Sequence, residues 1–310
     1  MIDISIVIPI YNEEANIQLL YDRLSGVLGE MGKSYELMFV NDGSKDRSLA
    51  LIKDLASKYP EVRYLDFSRN FGHQIAVTAG LDRVEGEAVV IIDADLQDPP
   101  ELIPDMYARM KDGFEVVYAR RKSRKGESWF KRATAKWFYR VLARITSVEI
   151  PVDTGDFRIM DRKILDVLKQ MPEKNKYLRG QIAWIGFRQT YIEYERQERH
   201  AGETGYTFRK MLRFALDGIT GFSDFPLKIV TYFGFLVTAF AFFVAIYVLY
   251  SRFVSGNYVQ GWSSLMISLL FIGGVQMIAI GIIGEYLSRM NTNVRNRPLY
   301  IIRETNVDRE

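Results

Sequence analysis

Ile4-Ser5-Ile6-Val7-Ile8-Pro9-Ile10-Tyr11-Asn12-Glu13 opens the chain with a β-type apolar run that turns polar within one step. The same sentence is spoken three more times. Tyr35 to Val40, Val62 to Phe67 and Ala88 to Ile92 read as strands. Between them Glu13 to Met31, Asp46 to Lys58 and Phe71 to Val84 carry apolar residues at helical spacing. Strand, helix, strand, helix predicts parallel βαβ units in a doubly wound α/β sheet. Ligands bind such sheets outside the carboxyl ends of the strands, where polar clusters stand here. Tyr11-Asn12-Glu13 follows the first strand, Asn41-Asp42-Gly43-Ser44 the second and Asp93-Ala94-Asp95 the fourth.

Asp93 and Asp95 are carboxylates one residue apart, separated by a small Ala94 that lets a ligand approach the backbone. Hard oxygen ligands of this kind suit Mg²⁺ or Mn²⁺ bound together with substrate phosphates. Gln97 adds an oxygen two residues on, and Asp98-Pro99-Pro100-Glu101 makes a turn and a helix start. Asp42 is suited to accept hydrogen bonds from a nucleobase, as are backbone groups near Pro9 and Tyr11; shaping two turns is the other reading. The chain has no cysteine, which excludes a disulfide scaffold and a thiolate metal site. Its two histidines, His73 and His200, argue against a histidine metal site.

The 310 residues leave room for one domain of roughly 200 residues and something smaller. The remainder is apolar and lies near the C-terminus. No charge occurs from Ile229 to Ser251 or from Val254 to Gly284. About 22 residues at ~1.5 Å rise cover roughly 33 Å, against a hydrocarbon core of ~30 Å. Two transmembrane helices are therefore expected, over 229–251 and 262–288. Met1 leads straight into Asp3 without a basic flank or cleavage site, so residues 1–205 are expected to stay in the cytoplasm. Lys228, Arg289, Arg295, Arg297 and Arg303 flank the outer ends of the spans and only Arg252 the connecting loop, so both termini are expected inside the cytoplasmic membrane. Residues 206–228 read as an interfacial stretch, with Phe208, Met211, Leu212 and Phe214 beside Arg209, Lys210 and Arg213, and 289–310 as a cytoplasmic tail. Gly274, Gly281 and Ser288 line one face of the second span, which fits either a contact between copies in a homo-oligomer or ordinary membrane glycines.

The net charge is only +3, yet Arg120 to Arg144 holds ten basic residues against the single acid Glu127. Phe130, Ala133, Trp137, Val141 and Ile145 recur through it at helical spacing, giving a basic amphipathic helix of the kind that lies on anionic membranes. A nucleic-acid patch is the rival reading, and a chain bound by two spans has little access to duplexes, so no nucleic acid is expected.

Taken in order, Ile8-Pro9-Ile10-Tyr11-Asn12-Glu13, Asn41-Asp42-Gly43-Ser44-Lys45-Asp46, Asp93-Ala94-Asp95-Leu96-Gln97-Asp98-Pro99-Pro100-Glu101 and Asp153-Thr154-Gly155-Asp156-Phe157-Arg158 resemble the motifs of family 2 glycosyltransferases of the GT-A fold. Within them the chain is similar to polyprenyl-phosphate glycosyltransferases, which include dolichol-phosphate mannose synthase, and with two spans to bactoprenol glucosyltransferases of the GtrB type. The resemblance implies a Rossmann-like, mostly parallel GT-A domain followed by interfacial and transmembrane helices. It implies that Pro9, Tyr11, Glu13, Asp42, Asp93, Ala94 and Arg199 hold the nucleotide sugar, and that Asp93, Asp95 and Gln97 bind Mg²⁺ or Mn²⁺. Asp156 matches an aspartate facing the acceptor. Arg120, Lys131, Arg132, Lys136 and Thr204 match positions that receive the lipid phosphate. The loop Arg199 to Gly205 departs from the pattern: Gly205 stands where lysine is common and Thr204 where serine is common.

The implied reaction is inverting, metal-dependent transfer of one hexose, with UDP-glucose favoured, onto polyprenyl phosphate. The acceptor phosphate is already largely ionised at neutral pH, so Asp156 is expected to orient more than to deprotonate. A processive polysaccharide synthase would share the donor site, but the Gln-x-x-Arg-Trp motif it usually carries is absent. A non-catalytic membrane scaffold is the third reading, against which the intact Asp93, Asp95 and Asp156 count.

Overall fold

The computed structural model describes residues 2–122, 154–195 and 261–307, with scattered residues between 230 and 246. The four expected strands are present as β1 (Ile4–Ile10), β2 (Tyr35–Asn41), β3 (Val62–Phe67) and β4 (Ala88–Ile91). They alternate with α1 (Ile17–Glu30), α2 (Ser48–Lys58) and α3 (His73–Arg83). A 3₁₀ turn (Pro100–Leu102) leads into α4 (Ile103–Lys111), then come β5 (Val116–Arg121), β6 (Thr154–Asp161), α5 (Arg162–Lys169), α6 (Leu178–Ile185) and β7 (Gln189–Tyr194). A long helix, α7 (Trp262–Val294), and a last strand, β8 (Ile302–Thr305), complete the described elements.

The eight strands form one sheet in the order β7-β5-β6-β4-β1-β2-β3-β8. β1 to β4 are mutually parallel; β6 and β8 run against their neighbours, and β5 and β7 pair in parallel. The sheet is therefore mostly parallel, as expected. Period-two alternation explains its two cores. Ile4, Ile6, Ile8 and Ile10, with Leu37, Phe39 and Val90, face α1, α2 and α4. Val7, Met38, Val40, Val89 and Ile91 face α3, α5 and α6 on the other side. Because β1 is covered on both faces, all seven of its residues are buried.

The helices α1, α2 and α3 each start a few residues later than their apolar patterns do. The backbone N–H groups expected to open α1 are used by the neighbouring turn: Asn12 donates to Ser44 Oγ (3.0 Å), Glu13 to Ser48 Oγ (3.0 Å) and Glu14 to Asp46 Oδ2 (3.2 Å). Likewise Phe71 and Gly72 donate to the Asp42 carboxylate, and α3 begins at His73. Side-chain acceptors at the sheet edge thus satisfy the N–H groups ahead of α1 and α3, which no helix can pair internally.

Within α7, Phe271–Val294 is long and apolar enough to cross a membrane, and none of it is buried by the rest of the chain. Of the first expected span, 229–251, only scattered residues are described, each helical; 206–228 lies outside the described residues. The expected tail differs from what is found. After α7 the chain returns and adds β8 to the edge of the sheet, Leu65 opposite Thr305 and Asp66 opposite Glu304. Tyr300 stacks on Phe67 with ring centroids 5.3 Å apart, and its hydroxyl donates to Asp82 Oδ2 at 3.0 Å. Leu299-Tyr300-Ile301-Ile302 is an apolar, β-type run, a strand signal that the reading of 289–310 as a tail passed over.

Gly80, where α3 crosses β1, has no room for a side chain: a Cβ there would lie 2.4 Å from Val7 Cγ1, on a strand that cannot move. Alanine ordinarily favours a helix over glycine by about 1 kcal/mol. Here Gly80→Ala is expected instead to lower stability by about 1–3 kcal/mol, the cost of overpacking, read as a lower denaturant midpoint of the detergent-solubilised protein.

Candidate functional site

The crevice opens where the chain reverses direction in the sheet, between β1 and β4. Their ladder ends at Val7 opposite Ile91, with Ile92 N–H donating to Val7 O at 3.1 Å. Ile10 O faces β2, where it accepts from Asp42 N at 2.8 Å, so alternation points Pro9 toward the β4 side beyond that ladder's end. A proline is tolerated in this central strand because its missing N–H costs no sheet bond. Tyr11 then leaves the sheet 46% exposed, followed by Asn12 at φ 56°. Asn12 Oδ1 accepts from Lys45 N at 2.8 Å, tying the first turn to the second.

The second charged centre comes from sheet register. β4 and β6 run antiparallel with Ile91 opposite Arg158. Two residues onward along β4 and two back along β6 bring Asp93 and Asp156 level across the crevice. His73, the first residue of α3, stands between them: its Nε2 is 3.0 Å from Asp156 Oδ2 and 3.6 Å from Asp93 Oδ1. Asp156 is almost fully engaged. Gln74 Nε2 also donates to its Oδ2 (3.3 Å), Arg179 Nε donates to its Oδ1 (2.8 Å), and Arg158 Nη2 lies 3.8 Å from the same oxygen. Arg158 itself is buried, with Nη2 donating to Gly155 O (2.9 Å) and Nε to Asp156 O (3.2 Å).

These contacts set the protonation states. Burial works against charge on Asp156, but the Arg179 guanidinium and His73 outweigh it and hold the carboxyl well below its ordinary range. Burial pushes Asp93 up to about 6; His73 resists, and Asp156, Asp98 and Asp95 add to the rise. Burial opposes protonation of His73, yet Asp93 and Asp156 carry the imidazole up to about 9. Burial pulls the Arg158 guanidinium down to about 10, with Asp156 opposing.

The residues fit a divalent cation. Asp93 Oδ1 is buried without a hydrogen-bond partner and faces His73 Nε2 at 3.6 Å; His73, Asp93 and Asp156 each bring a ligand-type atom within 4.8 Å of the others, and His73 would join a metal's coordination only by giving up its proton. A buried carboxylate oxygen lacking a donor is costly unless something positive meets it. The low histidine count argued against a histidine metal site; the fold stands His73 between the two carboxylates, where it is their counter-charge. Asp95 is buried beside Asp93, and its Oδ1 accepts from Gln97 N at 3.2 Å, closing a tight turn through Leu96 at φ 59°. A buried leucine in the left-handed region is strained, and such strain collects at functional loops. Behind it Tyr194 of β7 donates its hydroxyl to the fully buried Asp98, pinning the turn to the sheet.

Most sequence-predicted residues meet at this edge: Pro9, Tyr11, Glu13 and Asp42 on one side, Asp93, Ala94, Asp95, Gln97 and Asp156 on the other. Both Asp42 oxygens already accept backbone donors, Phe71 N at 2.6 Å and Gly72 N at 2.9 Å, so it also shapes the entry to α3. Burial raises its pKa. Arg120 lies opposite Thr154, two residues from Asp156, where it pairs with Glu193 and stacks on Tyr191 with its guanidinium 3.9 Å from the ring centroid. Lys131, Arg132, Lys136, Arg199 and Thr204 lie outside the described residues. Sequence reasoning missed His73, Gln74 and Arg179 as site residues. His73 had a signal, a polar residue soon after a predicted strand; Arg179 had none, because α6 reaches Asp156 only through tertiary packing.

The sequence profile described as "Glycosyl transferase family 2" matches residues 5–169, just over half the chain. The chain belongs to glycosyl transferase family 2. This family 2 glycosyltransferase is 50% identical over 304 residues to the uncharacterized glycosyltransferase YkcC of Bacillus subtilis (strain 168), covering 98% of this chain and 94% of that protein. It is 42% identical to the prophage bactoprenol glucosyl transferase homolog of Escherichia coli (strain K12), and 41% identical to the bactoprenol glucosyl transferase of Shigella phage SfII. Both alignments cover 97% of this chain and 98% of the relative.

A carboxylate whose pKa is depressed keeps its charge, and the stability that charge confers, above the ordinary carboxylate range and loses both only as pH falls through the lowered value. Asp156 is therefore anionic at pH 6 and at pH 8.5 alike. Asp156→Asn is expected to slow transfer by about 10²-fold, the scale of a lost preorganised charge, and equally at both pH values. A loss confined to the acidic side would mark Asp156 as a base.

Proposed function

We propose that this enzyme transfers a single glucose from UDP-glucose to polyprenyl phosphate at the cytoplasmic face of the membrane, with inversion, releasing UDP. The observation that carries the reading is the full-length similarity to proteins named bactoprenol glucosyl transferase, at 41–42% identity. The charge distribution at the crevice agrees with it.

In this reading Pro9, Tyr11, Glu13, Asp42 and Ala94 border the nucleotide sugar, with Arg199 closing over it. Exposed Tyr11 offers a ring face to the base. Asp93, with Asp95 and Gln97, would hold Mg²⁺ or Mn²⁺, which when bound would supply Lewis-acid neutralisation of the leaving diphosphate. Arg120, Lys131, Arg132, Lys136 and Thr204 receive the acceptor phosphate. One acceptor oxygen forms the new bond to the anomeric carbon as the bond to UDP breaks, and UDP leaves with the electron pair. The acceptor's second pKa is about 6, so at neutral pH no proton need be removed. Asp156, saturated by His73, Gln74 and Arg179, is suited to orient those side chains and poorly suited to take up a proton.

Membrane attachment through two spans fits the same reading. β8 pairs with β3, so the segment after α7 lies on the same side of any membrane as the N-terminal sheet. If α7 crosses, the chain between β7 and α7 crosses an odd number of times, which supports a first span over 229–251.

Purified full-length protein given labelled UDP-glucose and polyprenyl phosphate with Mg²⁺ or Mn²⁺ is expected to form one lipid-linked glucose with inverted anomeric configuration, and none in excess chelator. A polymer, a retained configuration, or no product with any donor overturns the proposal. The chain lacks cysteine, so topology can be read cleanly. In intact cells an impermeant thiol reagent is expected to label Asn257→Cys and to spare Glu310→Cys until the membrane is opened.

A further inference from the structure

We propose that Arg303, on the strand following the long apolar helix, is a positioning residue for the nucleotide end of the crevice, acting through the buried carboxylate of Asp66. The inference rests on the donor-binding reading above and deepens it: the chain beyond α7 becomes part of the donor site.

Asp66 is the last residue but one of β3 and is 1% exposed. Its Oδ1 accepts from Asn41 Nδ2 at 2.8 Å, while its Oδ2 is buried without a hydrogen-bond partner. Arg303 Nη1 faces that oxygen at 3.7 Å. The other end of the guanidinium is fixed, because Nη2 donates to Ser68 O at 2.7 Å and Ser68 N donates in turn to Ile301 O at 3.0 Å. The β3–β8 register shifts between Asp66 and Phe67, just where Arg303 reaches across. An exposed arginine alone contributes little charge stabilisation, since solvent screens it. What matters is the partner: a buried carboxylate left uncompensated recruits other donors or water at the expense of its present geometry.

That geometry leads to the donor site by two routes. Through the first, Asn41 spends its Nδ2 on Asp66 and accepts from Ser44 N on its Oδ1 (3.3 Å); Ser44 Oγ accepts from Asn12 N (3.0 Å), and Asn12 adjoins Tyr11. An Asn41 side chain that turned toward an unpaired Asp66 would release the Ser44 turn. Through the second, Ser68 begins the loop that ends at Phe71 and Gly72, whose N–H groups hold Asp42. This loop is pressed against the second turn: a Cβ on Gly43 would lie 2.6 Å from Arg69 C and from Asn70 N. A shift at Ser68 is therefore felt at Asp42-Gly43 through this close approach and through the Phe71 and Gly72 N–H groups. Residues 295–301 join α7 to β8, and Asn293 Oδ1 of α7 accepts from Lys174 N, in the loop between α5 and α6, at 3.1 Å, so the end of the apolar helix is tied to the domain just before β8.

The test uses the full chain in lipid nanodiscs as wild type, Arg303→Met, Arg303→Lys, Asp66→Asn and the Asp66→Asn/Arg303→Met double variant. Arg303→Met is expected to raise the KM for UDP-glucose about tenfold, a coupling of about 1.4 kcal/mol, with kcat within about threefold of wild type. Arg303→Lys should recover most of the loss. In the double variant no buried charge is left to compensate, so Arg303→Met should add less than threefold to Asp66→Asn. Amide exchange gives a readout that needs no donor: residues 10–16 and 41–47 should lose protection in Arg303→Met and regain it with lysine. A strand that merely stabilises the sheet would lower Tm in Arg303→Met while leaving KM and the exchange of those two turns at wild-type values, and that result overturns the proposal. Fully additive effects in the double variant overturn it equally. Should wild type turn over no UDP-sugar, the proposed function fails, and the exchange of 10–16 and 41–47 still decides the role of Arg303.

Discussion

The antiparallel ladder between β4 and β6 governs where the charges of this enzyme meet. Ile91 opposite Arg158 sets Asp93 level with Asp156 at the open end of the β1/β4 crevice. A slip of one residue in either strand would send its carboxylate to the other face of the sheet, away from its partner and against an apolar core filled by Ile, Val and Leu. Buried residues on both sides of β4 forbid that slip, so the hydrophobic pattern of one short strand fixes the geometry of the charged site.

Gathering Asp93, Asp95, Asp98 and Asp156 in one place is unfavourable in itself. The structure offsets it unevenly. Asp156 is given His73, Gln74 and Arg179, and buried Arg158 beneath; Asp98 is given the Tyr194 hydroxyl. Asp93 keeps a buried oxygen without a donor. Asp156 is thereby locked in the charged form, while burial and its acidic neighbours push Asp93 up to about 6. Opposed environments around neighbouring carboxylates are how one site divides roles between like groups.

The turns after β1 and β2 are built differently, from backbone hydrogen bonds rather than ion pairs. Ser44, Asp46 and Ser48 accept the N–H groups of 12–14, and Asp42 accepts those of 71 and 72. Turns held in this way form a fixed rim. The last strand, arriving from beyond the apolar helix, seals the outer edge of the same sheet. A sheet edge with unpaired groups is a liability, and covering it from within the chain removes that liability while joining the two ends of the molecule.

Much of this was legible in the residues alone. Periodicity located β1 to β4 and their helices to within a few residues, because a parallel sheet buried on both faces demands continuous apolar runs followed by abrupt polarity, and local composition records that demand. The same logic placed Asp42, Asp93 and Asp95 at one edge, and motif order placed Asp156 with them. What the chain could not announce was any contact made by residues distant in sequence and ordinary in composition. Arg179 on α6, His73 as the bridge between two aspartates, Tyr194 behind Asp98, and the pairing of Ile302–Thr305 with β3 depend on which elements pack side by side. Amino-acid order specifies each element through its own periodicity; which side chains share a charge or a buried oxygen is settled only when register and packing bring the elements together.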